Sequence, residues 1–140
     1  MINLDKAKKI LAAESYTCVL CKDEKTYTSM QRGVRPLVEW MESGENFKDF
    51  SAADKVVGRG AAFLYVLLGV RAVYACVISR AALDVLHTQG ISVEYGTAVE
   101  KIINRKGDGI CPFEEAVLNI TDANEAYIAI KQKMREMGLV

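Results

Sequence analysis

The chain has 140 residues, 51% of them hydrophobic and 26% charged, with a formal net charge of zero. That length bounds it to one domain with a single proper core, and the composition excludes a disordered chain. A balanced charge leaves no global field to attract nucleic acid or an anionic membrane. The longest apolar run, Ala61 to Val70, is far short of the roughly 20 residues that cross a bilayer.

The N-terminal stretch MINLDKAKKILAAES is amphipathic and lacks the apolar run of a signal peptide. The expected compartment is therefore the cytoplasm. The stretch reads as a first helix, with Asn3 as its cap and Leu4, Ala7, Ile10 and Leu11 on one face. Tyr16 to Cys21 and Lys25 to Met30 read as two strands of a hairpin joined by Lys22-Asp23-Glu24. Gly33 ends that unit, and Pro36 opens a short helix through Met41. Ser43 to Asp49 is a polar loop.

Asp54 to Leu68 is expected as the central helix. It carries almost no polar face after Arg59, the pattern of a buried helix. Gly58 and Gly60 near its start cost roughly 1 kcal/mol each relative to alanine, and they allow a backbone or ligand to come close. Gly69 is its stop. Ala72 to Ile78 is an apolar strand of the kind covered on both faces. Ser79 caps a helix from Arg80 to Gln89, Gly90 ends it, and Ile91 to Tyr95 is the next strand. Strand, short helix, strand is the economical form of a parallel crossover.

For Thr97 to Asn104, periodicity does not decide between helix and extended chain. Arg105 to Gly109 is a turn by composition. Cys111-Pro112 opens a short helix, and Asp122 with Glu125 forms a capping box for a last helix ending at Gly138. No repeat or linker interrupts the chain, so residues 1–140 read as a single domain.

The four cysteines, Cys18, Cys21, Cys76 and Cys111, suit reduced thiols in a cytoplasmic protein. Cys18 and Cys21 have C-x-x-C spacing. Within a strand, however, positions i and i+3 point to opposite faces, so a shared redox or metal role is not expected.

Over Thr17 to Gly96 this order of elements resembles the cytidine deaminase-like fold. The resemblance implies an α/β/α three-layer sandwich with a mixed sheet of about five strands. The segments DKVVGRGAA, VYACVISRAALDVL and DGICPFEEAVL make the whole chain similar to a prokaryotic family placed in that fold class, the domain of unknown function 1893. The family resemblance brings no assigned reaction with it.

A zinc deaminase carries His-x-Glu or Cys-x-Glu at one helix start and Pro-Cys-x-x-Cys at the next, for ligands and a proton shuttle. Here the first place holds Asp54, Lys55, Gly58, Arg59 and Gly60. The second holds Cys76-Val77-Ile78-Ser79-Arg80. One cysteine cannot replace three ligands. His87, the only histidine, falls about two turns from its helix start and reads as a surface residue. No metal site and no cofactor is expected.

In that fold the two central helix starts converge on one pocket, and helix starts favour anions. Lys55, Gly58, Arg59, Ser79 and Arg80 are the expected ligand-binding residues, with a small anionic metabolite as partner. Nucleic acid and membrane are not expected partners, and a homo-oligomer is left open. Cys111, Asp54 and Glu114 are the candidates for catalysis in a metal-independent enzyme. Cys111 sits at a helix start, which lowers a thiol pKa, but Glu114 and Glu115 oppose a thiolate by like charge. A third reading is a non-catalytic assembly module.

Overall fold

The computed structural model describes residues 2–104 and 106–139. Helix α1 (Ile2–Ala13) buries Leu4, Ala7 and Leu11. Asn3 is not its cap. It lies inside the helix, and its side-chain oxygen accepts the backbone N–H of Asp23 at 3.0 Å. The hairpin forms as the sequence predicts, with β1 (Cys18–Lys22) antiparallel to β2 (Lys25–Ser29). Asp23 supplies the left-handed turn residue at φ 54°, a conformation Asp tolerates better than most. Helix α2 (Arg35–Glu42) opens on Pro36 and buries Leu37 and Val38. The loop after it is anchored by Phe47 and Phe50, which pack edge to face at 5.3 Å.

One expectation is overturned here. Residues 54–57 do not begin the central helix. They end strand β3 (Ser51–Val57), which pairs antiparallel with β1 and parallel with β4. The helix α3 starts only at Arg59 and runs to Leu68. The physical reason is visible in SAADKVVG. A short apolar run is ambiguous between strand and helix, and Val56 and Val57 are β-branched residues that favour a pleated strand. Gly58 then takes an extended conformation, φ −98° and ψ −179°, from which the helix departs.

Helix α3 is buried along most of its length and stops at Gly69, φ 78°, whose N–H bonds the carbonyls of Tyr65 and Val66. Strand β4 (Ala72–Ser79), helix α4 (Arg80–Thr88) and strand β5 (Ser92–Val99) form the parallel crossover. Residues 97–99 extend that strand, which settles the open choice at Thr97. After it, Ile103 and Ile110 form an isolated antiparallel bridge around the turn. Arg105, the first residue of the expected turn, lies outside the described residues. Helices α5 (Pro112–Ala116) and α6 (Ala123–Glu136) follow, the latter capped by Asp122, which accepts the Glu125 N–H at 2.9 Å.

The sheet order is β2-β1-β3-β4-β5. Helix α1 covers one face over a small core of Ala7, Leu11, Val19, Cys21 and Ala53. Helices α3 and α4 cover the other over the main core, with α2 and α6 packed against α3. The result is the α/β/α sandwich on a mixed five-stranded sheet that the sequence led us to expect. Among the described residues, no helix is long and apolar enough to cross a membrane.

Candidate functional site

A cavity of about 310 Å³ opens at the C-terminal end of β3. There β3 has an antiparallel neighbour, β1, on one side and a parallel one, β4, on the other. Five stretches of chain form its wall: Thr17 before β1, Arg32 to Val34 after the hairpin, Asp54 to Val56 with Gly58 and Ala61, Ile102, and Cys111 with Phe113 and Glu114.

Asp54 sits in β3 opposite Cys18 of β1 and Ala75 of β4. It is 6% exposed. The Tyr65 hydroxyl, from the middle of α3, donates to its Oδ2 at 2.6 Å. The Cys18 thiol lies 3.1 Å from the same hydroxyl. The Val56 N–H approaches Oδ1 at 3.4 Å. Burial disfavours the charged carboxylate and lifts the Asp54 pKa to about 7, against the Tyr65 and backbone hydrogen bonds that favour it. Burial likewise pushes the Cys18 thiol and the Tyr65 hydroxyl well above their ordinary values. At neutral pH Cys18 is therefore a neutral core thiol, and Asp54 is the group of the three that titrates near neutrality.

Glu114 reaches from α5 to the start of α3. Its Oε1 accepts the Arg59 N–H at 2.7 Å, and its Oε2 accepts the Gly60 N–H at 2.9 Å. These are two of the N–H groups that a helix leaves without partners at its start, and a carboxylate there also meets the positive end of the helix dipole. Gly58 makes the contact possible. A Cβ on Gly58 would lie 2.4 Å from the Glu114 carboxyl carbon.

Lys55 and Gly58 both line the cavity, although Lys55 stands on a strand and not at a helix start. Cys111, Asp54 and Glu114 line it too, so the structure brings the three catalytic candidates together. Arg59, Ser79 and Arg80 are not among the lining residues. The Arg59 guanidinium lies 5.3 Å over the Phe63 ring and donates from Nη2 to the Ile120 carbonyl. Ser79 caps α4 by accepting the Ala82 N–H at 3.1 Å. Arg80 pairs with Glu100 on the surface at 2.5 Å. The anionic partner at the α3 start is the chain's own Glu114.

The model of the family "Domain of unknown function (DUF1893)" matches residues 6–134. The chain belongs to the DUF1893 family. The crystal structure of a DUF1893 family protein from Thermotoga maritima is similar at a TM-score of 0.86 and 26% identity, covering 94% of this chain and 90% of that one. The apo structure of a dCMP deaminase from the cyanophage S-TIM5 matches at a TM-score of 0.45 and 15% identity, over 67% of this chain and 94% of that one. No curated protein matches the chain.

In this DUF1893 member, no group of three or more His, Cys, Asp or Glu side chains is arranged to hold a metal ion, among the described residues. The residues at the two helix starts, Gly58-Arg59-Gly60 and Ser79-Arg80, do not fit the zinc of a deaminase. His87 is exposed in the last turn of α4. Cys18 belongs to the core under α3 and Cys21 to the core under α1, the opposite faces that their spacing predicts.

Sequence reasoning missed Thr17, Arg32, Val34, Val56, Ala61, Ile102 and Phe113 as cavity residues. It named Gly33 only as a stop. Arg32-Gly33 carried a faint signal, a cation beside the glycine that turns the chain at φ 67°. Tyr65 is a fully buried packing residue of α3 whose hydroxyl also holds Asp54.

Proposed function

We propose that this DUF1893 protein binds a small anionic metabolite in the cavity at the end of β3, without zinc. The observation that carries the reading is the composition of the cavity wall. Val34, Val56, Ala61, Ile102 and Phe113 provide apolar surface, while exposed Lys55 and Arg32 stand at the same cavity. A mostly apolar hollow with a few convergent polar groups is the usual form of a small-molecule site. The volume, about 310 Å³, suits a ligand of metabolite size.

The anion is assigned to Lys55 and Arg32, because the N–H groups at the α3 start are held by Glu114 and the α4 start is capped by Ser79. A thermal-shift screen of small carboxylates and phosphates tests the reading. A ligand at a hundred times its Kd stabilises the folded state by about 2.7 kcal/mol. The stabilisation is expected to vanish in Lys55→Ala combined with Arg32→Ala. A response that survives in the double variant would place the ligand elsewhere.

A second reading, proton transfer by Asp54 on a bound substrate, is favoured by one observation. A carboxyl that titrates near neutrality and lines a cavity is suited to general acid–base work. Turnover of a ligand found by the screen, abolished in Asp54→Asn even when that variant is saturated with the ligand, would distinguish an enzyme from a binding protein.

A further inference from the structure

Charge in the cavity wall is divided by depth. Among the described residues the buried charged side chains are Asp54 and Glu114, at 6% and 8% exposure, and both line this cavity. Lys55 and Arg32 line it as exposed residues. The deep end is therefore rich in carboxyl oxygens, while the cations stand toward solvent.

The carboxyl oxygens are not equally occupied. Each Glu114 oxygen receives one helix N–H. The Tyr65 hydroxyl takes Oδ2 of Asp54 at 2.6 Å. Oδ1 accepts the Val56 N–H at 3.4 Å, longer than an ordinary N–H···O bond, and the Lys55 backbone N–H and the Cys18 thiol also favour the carboxylate. A buried carboxylate oxygen with unused acceptor capacity is unfavourable until a donor meets it.

We propose that the ligand carries an N–H donor, as an amine, amide or amidine, at the end that enters toward Asp54, and a carboxylate or phosphate at the end that stays between Lys55 and Arg32. The claim rests on the cavity being the binding site and adds the direction in which the ligand lies. Asp54 reads the donor end, and Tyr65 is a positioning residue that occupies Oδ2 and leaves Oδ1, with its long Val56 contact, as the oxygen with spare acceptor capacity.

Three probes on one benzene ring separate the two ends: para-amidinobenzoate, benzoate and benzamidine. Affinity is read by calorimetry at pH 8, where Asp54 is ionised. The expected order puts para-amidinobenzoate at least about tenfold tighter than either relative, the worth of one hydrogen bond to a charged group. Asp54→Asn, which keeps the shape of the side chain, is expected to bring para-amidinobenzoate down to the level of benzoate. Lys55→Ala with Arg32→Ala is expected to bring it down to benzamidine.

A pH series on the unaltered protein needs no variant. Binding of para-amidinobenzoate should weaken as pH falls through about 7, while benzoate does not follow. Cys18 and Tyr65 face Asp54 from β1 and α3, and Glu114, Cys111, Lys55 and Arg32 share its cavity. Of these, Cys18 and Tyr65 are held neutral by burial through that range. Benzoate binding as tightly as para-amidinobenzoate, with no effect of Asp54→Asn, would overturn the orientation. In that event a benzoate response lost in the Lys55 and Arg32 variant would leave the cavity standing as a binding site. No response to any of the three probes overturns the proposal.

Discussion

Asp54 is held in the folded protein with a pKa near 7, above its ordinary 3.8. The folded state then binds a proton that the unfolded state releases between those values. Stability contributed by this group is present at low pH, declines as pH rises through the window, and levels off above the folded pKa. The decline amounts to roughly 4 kcal/mol at about 1.36 kcal/mol per pH unit. Asp54→Asn should remove it, keep the acceptor for the Tyr65 hydroxyl, and unfold at higher urea than the native chain at pH 8. An unchanged difference in midpoint between pH 5 and pH 8 would show that Asp54 does not titrate in this way. Tyr65→Phe removes a bond that favours the carboxylate, so the Asp54 transition should move upward. Carbon-13 NMR of the Asp54 carboxyl would register that movement, and no change would separate Tyr65 from Asp54. At this scale the sequence named Asp54 but not its surroundings. Asp54 and Tyr65 meet only because a strand residue and a residue in the following helix face each other across Gly58, and the sequence placed both on one helix.

The start of α3 is the element on which the site depends. Its first N–H groups are served by a side chain from α5, 55 and 54 residues away in sequence. Glu114→Ala should destabilise the fold by about 1–3 kcal/mol, the range for an unsatisfied buried group at a helix start. Gly58→Ala should have a comparable effect by driving the Glu114 carboxyl away. The combination should fall short of the sum, since both break one contact. Additive effects in urea unfolding would mean that Gly58 and Glu114 act separately. Ser79→Ala, a cap at α4 away from the cavity, should cost about 1 kcal/mol and leave ligand affinity alone. The hairpin, the α4 cap and the crossover were legible because turn residues and caps are local signals. Strand β3 was not, because DKVV joins an apolar stretch that continues into a buried helix. Its pairing with β1 and β4 decides its conformation, and pairing is not a local property.

For the whole molecule, the mixed sheet brings residues 17, 32–34, 54–56, 58, 61, 102, 111, 113 and 114 to one place. The architecture and the family could be read from the order of elements and from the segments DKVVGRGAA, VYACVISRAALDVL and DGICPFEEAVL. The cavity could not, since three of its walls come from connections without periodicity. Membership of DUF1893 leaves the ligand to be found by experiment. Native and denaturing mass spectrometry of the untagged protein, beside the Lys55→Ala, Arg32→Ala variant, tests the account most directly. The account predicts a non-covalent small molecule on the native chain that is absent under denaturing conditions and lost or much reduced in the variant. The same molecule retained at equal occupancy by the variant, or a native chain that carries none and responds to no small anion, would contradict it.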